Sequence, residues 1–219
     1  MDRQEQVIRL LIADDHAIVR TGFETLLADV PDVSVVATAS DGYQAIQLAR
    51  TTQPDVILLD LAMPRKTGLE AISDLKAVSP HSQILILTSY ADDDKLFAAI
   101  KAGAIGFLLK EISMEDLLAA IRHAHKGLAS LHPSIARRLI RELNRPTTLP
   151  QETLTDREAE ILIWVARGLA IADIANNLHI HEPIVHRHIN SILAKLRKGW
   201  WHRPNDPLDP PLPFPIPVR

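Results

Sequence analysis

Asp55-Val56-Ile57-Leu58-Leu59-Asp60-Leu61-Ala62-Met63-Pro64 is the stretch that decides the fold. Val56 to Leu59 form a short bounded apolar run, the pattern of a strand buried on both faces. The run stops at Asp60. A carboxylate at the C-terminal end of a buried parallel strand lies where open α/β sheets hold their ligands, in the crevice beyond the strand ends. Taken alone, Asp60 has a simpler reading, as the residue opening the turn closed by Met63-Pro64. Residues elsewhere in the chain decide between the two.

Outward from this strand the same alternation repeats. Ile8 to Ile12 is an apolar run closed by Asp14-Asp15, followed by Val19, Phe23, Leu26, Leu27 and Val30 at helical spacing. Val33 to Ala37 is a β-branched strand, and Asp41-Gly42 precedes a helix carrying Ala45, Ile46, Leu48 and Ala49. After the central strand, Gly68 to Val78 is helical, and Ile84 to Leu87 is a buried strand ending in Thr88-Ser89. A helix over Asp92 to Lys101 starts with three acids, which suit a helix N-terminus. Gly106 to Leu109 is a fifth strand, closed by Lys110, and Ser113 to Lys126 is a helix with a Ser-x-x-Asp cap at Ser113 and Asp116. Five strands alternating with five helices predict an α/β fold, a doubly wound five-stranded parallel sheet.

Asp14, Asp15, Asp60, Thr88 and Lys110 then all fall at the C-terminal ends of strands and converge on one crevice. Crowded carboxylates repel one another unless a cation neutralises them. Oxygen-only donors point to Mg²⁺, which also touches phosphate oxygens. Lys110 and Thr88 add a positive charge and a hydroxyl, which makes Asp60 a plausible nucleophile for in-line phosphoryl transfer.

On these residues the first part of the chain resembles the receiver domain of bacterial two-component response regulators, a flavodoxin-like fold. The acidic pair stands in LIADDH, the phosphoacceptor in ILLDLAMP, the hydroxyl in LTSYADD and the lysine in GFLLK. The resemblance implies Asp14, Asp15, Asp60 and the carbonyl of Ala62 as Mg²⁺ ligands, Lys110 as partner of the phosphate, Thr88 as switch hydroxyl and Phe107 as switch aromatic. It departs at Glu111, where the family often has proline. It also implies that Ala62 and Tyr90 flank the path of hydrolytic water; one is small and apolar, the other bulky, and a long-lived phosphorylated state is the expectation.

Composition sets the bounds. With 219 residues, 47% hydrophobic and 23% charged, the chain suits one large or two ordinary globular domains. It has no cysteine, which excludes disulfides and thiolate metal sites. No signal pattern opens it and no apolar run reaches the roughly 20 residues of a membrane span, so a cytoplasmic, non-membrane protein is expected. The net charge of −3 is uneven: −6 over residues 1–126, +3 over 127–150 and zero over 151–219.

Residues 127–150 read as a linker. Ser134 to Leu143 fits a helix, and the rest reads as tether. In LTDREAEILIWVARG, Thr155 and Glu158 form a capping box, Ile161, Leu162 and Val165 an apolar stripe, and Gly168 the stop. A second helix runs from Ile171 to Leu178 and a third from Glu182 to Lys198, with Val185, Ile189, Ile192 and Leu196 inward and Pro183 in the first turn. Short helices around a tight turn suit helix-turn-helix docking, with His186, Arg187, Asn190, Lys195 and Lys198 outward.

Residues 154–197 are similar to the LuxR-type helix-turn-helix domain that follows the receiver in NarL/FixJ response regulators, through LTDREAEIL, ARGLA, IANNL and the last helix. The resemblance puts base-reading side chains at His186, Arg187 and Asn190, with His188 and Lys195 near phosphates. Where the family usually has Ser-Glu-x-Thr-Val-Lys, this chain has His181-Glu182-Pro183-Ile184-Val185-His186. With zero net charge here, the attraction that dominates DNA affinity is expected to be weaker than in typical members.

Residues 199–219 hold 7 of the chain's 15 prolines, so no helix is expected where the family usually adds a fourth one. A shifted or truncated gene end and a proline-rich ligand both account for that composition. The domains are thus a receiver at 1–126, a linker at 127–150, a small all-α helix-turn-helix domain at 151–198 and a disordered tail. The expected function is a transcription factor, not an enzyme, phosphorylated on Asp60 by a sensor histidine kinase and binding double-stranded DNA as a homodimer. The alternative is a phospho-dependent protein-interaction module with an impaired DNA-binding domain.

Overall fold

The computed structural model describes residues 7–89, 93–143 and 154–198. In chain order it contains β1 (Ile8–Ala13), α1 (Ala17–Leu27), β2 (Val33–Ala39), α2 (Gly42–Thr52), β3 (Val56–Leu59), α3 (Gly68–Val78), β4 (Gln83–Thr88), α4 (Asp93–Ala102), β5 (Gly106–Leu109) and α5 (Met114–His125). Then follow α6 (Pro133–Leu143), α7 (Asp156–Ala166), α8 (Ile171–Leu178) and α9 (Glu182–Lys198).

The strands form one parallel sheet in the order β2-β1-β3-β4-β5. The doubly wound architecture is therefore as the alternation predicts. Its apolar runs are buried on both faces, because side chains alternate along each strand. Leu10 and Ile12 of β1, Leu58 of β3 and Leu85 of β4 face α1 and α5; Leu11, Ile57 and Ile84 face α2, α3 and α4. Each such Leu or Ile, fully buried, is worth about 2 kcal/mol over exposure.

Helix starts follow the caps written in the sequence. Asp41 accepts from the backbone N–H of Gln44, and Ser113 from that of Asp116. Thr67 with Glu70 and Thr155 with Glu158 form reciprocal capping boxes at α3 and α7. The acids before α4 lie largely outside the described residues, as do Tyr90, 144–153 and 199–219.

Past α5 the sequence reading needs correction. Residues 130–132, read as tether, lie along the open edge of β5. Phe107 donates its N–H to the Ser130 carbonyl at 3.0 Å, and His132 donates to the Phe107 carbonyl at 3.1 Å. Leu131 thereby forms a parallel bridge with Phe107. An edge strand offers unpaired backbone groups, and here the linker satisfies them. Gly106 makes room: a Cβ there would come 2.7 Å from the Ser130 carbonyl oxygen.

One face of the sheet does not end at the receiver. From Leu96, Ile100 and Phe107 the buried apolar cluster continues through Ile135 and Leu139 of α6 to Ile161 and Val165 of α7, then to Val185, Ile189, Ile192 and Leu196 of α9. α9 packs against α4 as well as against α7 and α8. The three-helix unit and the sheet thus share a core. Among the described residues no helix is long and apolar enough to cross a membrane.

Candidate functional site

Parallel pairing of the strands places the chemistry. Ala13 and Leu59 are partners across β1 and β3, so the residues that follow them, Asp14 and Asp60, emerge side by side. The Asp60 N–H is held by the Ala13 carbonyl at 2.8 Å. On the other side Thr88 partners Leu109 across β4 and β5, and the Lys110 N–H is held by the Thr88 carbonyl at 3.1 Å. Asp14, Asp60 and Thr88 are only 2%, 4% and 3% exposed.

Lys110 joins the two buried acids. Its Nζ lies 2.6 Å from Asp14 Oδ2 and 2.8 Å from Asp60 Oδ2. Burial pulls the Lys110 ammonium toward neutrality, but its bonds to Asp14 and Asp60 outweigh that and hold its pKa above the usual lysine value. A cation thus stands over the carboxylate, where a transferred phosphoryl group would carry its charge. The Ala62 N–H reaches Asp60 Oδ1 at 3.3 Å. The loop beyond Asp60 is folded tightly back, and the Gly68 N–H closes it on the Leu61 carbonyl at 3.1 Å.

Asp14, Asp15, His16 and Asp60 each offer a ligand atom, and these atoms lie within 4.8 Å of one another. This cluster can hold a metal ion, and its carboxylate oxygens suit a hard divalent cation. His16 was missed from the sequence. Its Nδ1 is 2.8 Å from Asp15 Oδ1 and 3.2 Å from Asp14 Oδ1, and the only signal for it was adjacency to the acidic pair.

The structure thus brings Asp14, Asp15, Asp60, Thr88 and Lys110 to one end of the sheet. Phe107 is apart from them, 1% exposed on the face of the sheet that α4 covers, directly under the linker bridge. Tyr90 lies outside the described residues.

The residues of α9 need a larger correction. His186 and Asn190, read as outward and free to meet DNA, face the receiver. His186 is 2% exposed, its Nδ1 is 2.7 Å from the Ala129 carbonyl, and its ring lies 4.2 Å from that of His123 on α5. Asn190 donates through Nδ2 to the Gly127 carbonyl and accepts through Oδ1 from the Ala129 N–H, both at 2.7 Å. Lys195 is turned to its own domain, 2.7 Å from Glu158. Arg187 is exposed and His188 half-buried. At the far end of α9, Arg197 donates to the Ile100 carbonyl at 3.0 Å and to the Ala104 carbonyl at 2.6 Å, the electronegative end of α4. Helical spacing puts His186, Asn190 and Lys195 on one outward face; Lys195 departs from it to bond Glu158, and spacing carries no information on what covers His186 and Asn190.

Comparison with known proteins agrees with both halves. Residues 10–122 match the response regulator receiver domain, and residues 152–198 match the bacterial regulatory proteins of the luxR family. The transcriptional regulatory protein LiaR of Bacillus subtilis is 40% identical over 192 residues, covering 87% of this chain and 91% of LiaR. The oxygen regulatory protein NreC of Staphylococcus haemolyticus is 39% identical over 197 residues, covering 86% and 91%. Among solved structures, the response regulator ChrA of a heme-sensing two-component system superimposes with a TM-score of 0.53 at 33% identity, covering 86% of this chain and 90% of that one. RcsB, in a structure of two dimers bound to two parallel DNAs, gives 0.57 at 26% identity, covering 88% and 92%. With both domains matched in order and whole-length relatives near 40% identity, the chain belongs to the NarL/FixJ response regulators of two-component systems, a receiver joined to a LuxR-type DNA-binding domain.

Proposed function

We propose that Asp60 accepts a phosphoryl group from a sensor histidine kinase and that the modification frees α9 to bind DNA. The observation that carries this is the buried Asp60 carboxylate under the Lys110 ammonium. In the transfer an Asp60 oxygen attacks phosphorus in line, the bond to the donor imidazole nitrogen breaks, and the imidazole leaves with a proton. Lys110 turns from the carboxylates to the new phosphoryl oxygens, and Thr88 supplies a hydroxyl to them. Asp14, Asp15, Asp60 and the Ala62 carbonyl would hold Mg²⁺, which neutralises charge on the phosphoryl oxygens when bound.

The output side starts closed. Five hydrogen bonds hold α9 in place, three joining His186 and Asn190 to Gly127 and Ala129 at the start of the linker and two from Arg197 to the receiver. At about 1 kcal/mol net each, they amount to a few kcal/mol. A phosphoryl group that forms one to three charge-assisted bonds is on the same scale. Thr88 ends β4, and Phe107 lies under the bridge that leads into the linker, so repacking at these two residues reaches the chain segment holding α9. Once free, Arg187, His186 and Asn190 address base edges, with His188 and Lys195 near phosphates, and a homodimer sets two half-sites. A cytoplasmic location fits such a role.

Acetyl phosphate treatment of the purified protein, followed by selection from a random DNA pool, tests this. The expected result is salt-sensitive, sequence-selective binding that phosphorylation strengthens. Absence of such binding both with and without phosphate would sink the DNA-binding reading.

A further inference from the structure

We propose that the closed arrangement contains an acid-sensitive latch, made by His123 of α5 and His186 of α9, which holds only while both imidazoles are neutral. It rests on the reading of α9 as the covered DNA-binding helix and adds a second input to its release.

The two rings come from opposite domains and lie 4.2 Å apart, tilted by 54°. A carbonyl only accepts, so His186 Nδ1 must carry the proton in its 2.7 Å contact with the Ala129 oxygen. A second proton must then go to Nε2. That atom is buried, with no hydrogen-bond partner among the described residues. Protonation would leave a cationic N–H in a dry site with no acceptor, against another imidazole, and the cost of such an unpaired charge favours separation of the domains. The charged groups facing the pair are few. Lys126, at the end of α5, opposes a charge on His123, and Glu182, in the first turn of α9, favours one on His186. Residues 127–131, lying against His186, carry no ionisable side chain.

The same burial disfavours the charged form of both rings. Burial, then the neighbouring His186 and Lys126, pulls His123 down to about 4. Burial also lowers His186, against the opposing pull of the Ala129 contact and Glu182. In the open form each ring returns to about 6.5. A group whose pKa is depressed in the closed form stabilises that form fully above its open-form pKa and loses the effect as pH falls below it. The open-to-closed ratio therefore rises by up to tenfold per pH unit for each histidine, beginning near pH 6.5. The proton that opens the molecule also gives His186 the positive charge that DNA phosphates attract.

The chain has no cysteine, so a dye pair is placed cleanly through Glu24→Cys and Arg167→Cys, both exposed. Energy transfer in the full-length, unphosphorylated protein is read from pH 7.5 to 5, with circular dichroism reporting that each variant stays folded. The open-to-closed ratio is expected to rise about fivefold or more between pH 6.5 and 5.5. His123→Leu makes the response shallower, and His123→Leu with His186→Asn, which keeps a donor for Ala129, abolishes it. His123→Phe gives a second non-titrating ring should leucine disturb α5. No acid response in the parent protein, or an equal one in the double variant, overturns the latch. The DNA pool is run in parallel: acid opening without DNA binding refutes the DNA reading and leaves the latch, and phosphate-dependent DNA binding without acid opening does the reverse.

Discussion

Gly68 has no room for a side chain. A Cβ there would overlap the Asp60 carbonyl oxygen, and that atom is backbone, which cannot swing aside. Gly68→Ala is expected to cost about 2 kcal/mol in urea unfolding and to slow labelling of Asp60 by acetyl phosphate, because the loop around the carboxylate must shift. Asp60→Asn should abolish labelling altogether without that loss of stability. The length of the phosphorylated state is a second matter at this scale. Ala62 is exposed beside Asp60 and offers no group to orient water; Ala62→Asn is expected to speed loss of the acid-labile phosphate, and an unchanged half-life would count against the water-path reading. The clustering of Asp14, Asp60, Thr88 and Lys110 was legible in the sequence because strand ends in a parallel sheet converge whatever the loops do. Gly68 and His16 were not, since their roles depend on distances that spacing does not encode.

At the level of elements, α7 and α9 are tied by a single carboxylate. Glu158 closes the capping box with Thr155 and also accepts from Ser191 and Lys195. Burial alone would raise its pKa, but the bonds from Lys195, the Thr155 backbone and Ser191 overcome this and bring it to about 2. A carboxylate so depressed stabilises the fold fully above its unfolded value, near 4.5, and the effect is lost as pH falls from there toward 2. Glu158→Gln should therefore lower stability on the order of 2 kcal/mol at pH 7 and much less at pH 3, as urea titrations at the two pH values would measure. Helix α1 carries a different expectation. Ile18 is 87% exposed on the helix that follows the acidic pair, an unusual place for a large apolar side chain. If the kinase docks on α1 through Ile18, Ile18→Asp is expected to slow phosphoryl transfer from the kinase at least tenfold while sparing transfer from acetyl phosphate; equal slowing of both would exclude α1 as a kinase contact. Element bounds were largely readable: α3 and α8 begin and end where the helical periodicity puts them. The linker bridge at Leu131 was not, because a short segment joining an existing sheet edge needs no periodicity of its own; the partner supplies the pattern.

For the molecule as a whole, the shared apolar core and the α9 contacts make one closed body. Arg197 lies at its seam, and Arg197→Ala removes two bonds, to the Ile100 carbonyl in the last turn of α4 and to the Ala104 carbonyl just past it, without touching Asp60 or the residues proposed to read bases. The unphosphorylated variant is expected to bind selected DNA several-fold more tightly than the parent protein and to expand in small-angle scattering; unchanged affinity would show that this seam does not restrain α9. None of this closure was visible in the sequence. His186 and Asn190 were rightly assigned to the outer face of their own domain, but a surface pattern looks the same whether solvent, DNA or another domain meets it.

Asn190 gives that closure a chemical character. An asparagine that reads adenine accepts from the N6 amino group and donates to N7. Against the linker, the same amide accepts from the Ala129 N–H and donates to the Gly127 carbonyl. If Asn190 reads a base as proposed, two peptide groups of the linker would imitate one edge of that base and act as a tethered decoy. A decoy on a short tether competes at millimolar effective concentration. On that proposal, weak imitation would suffice to keep the helix off random DNA, and a target would have to offer more than these two peptide groups to displace it.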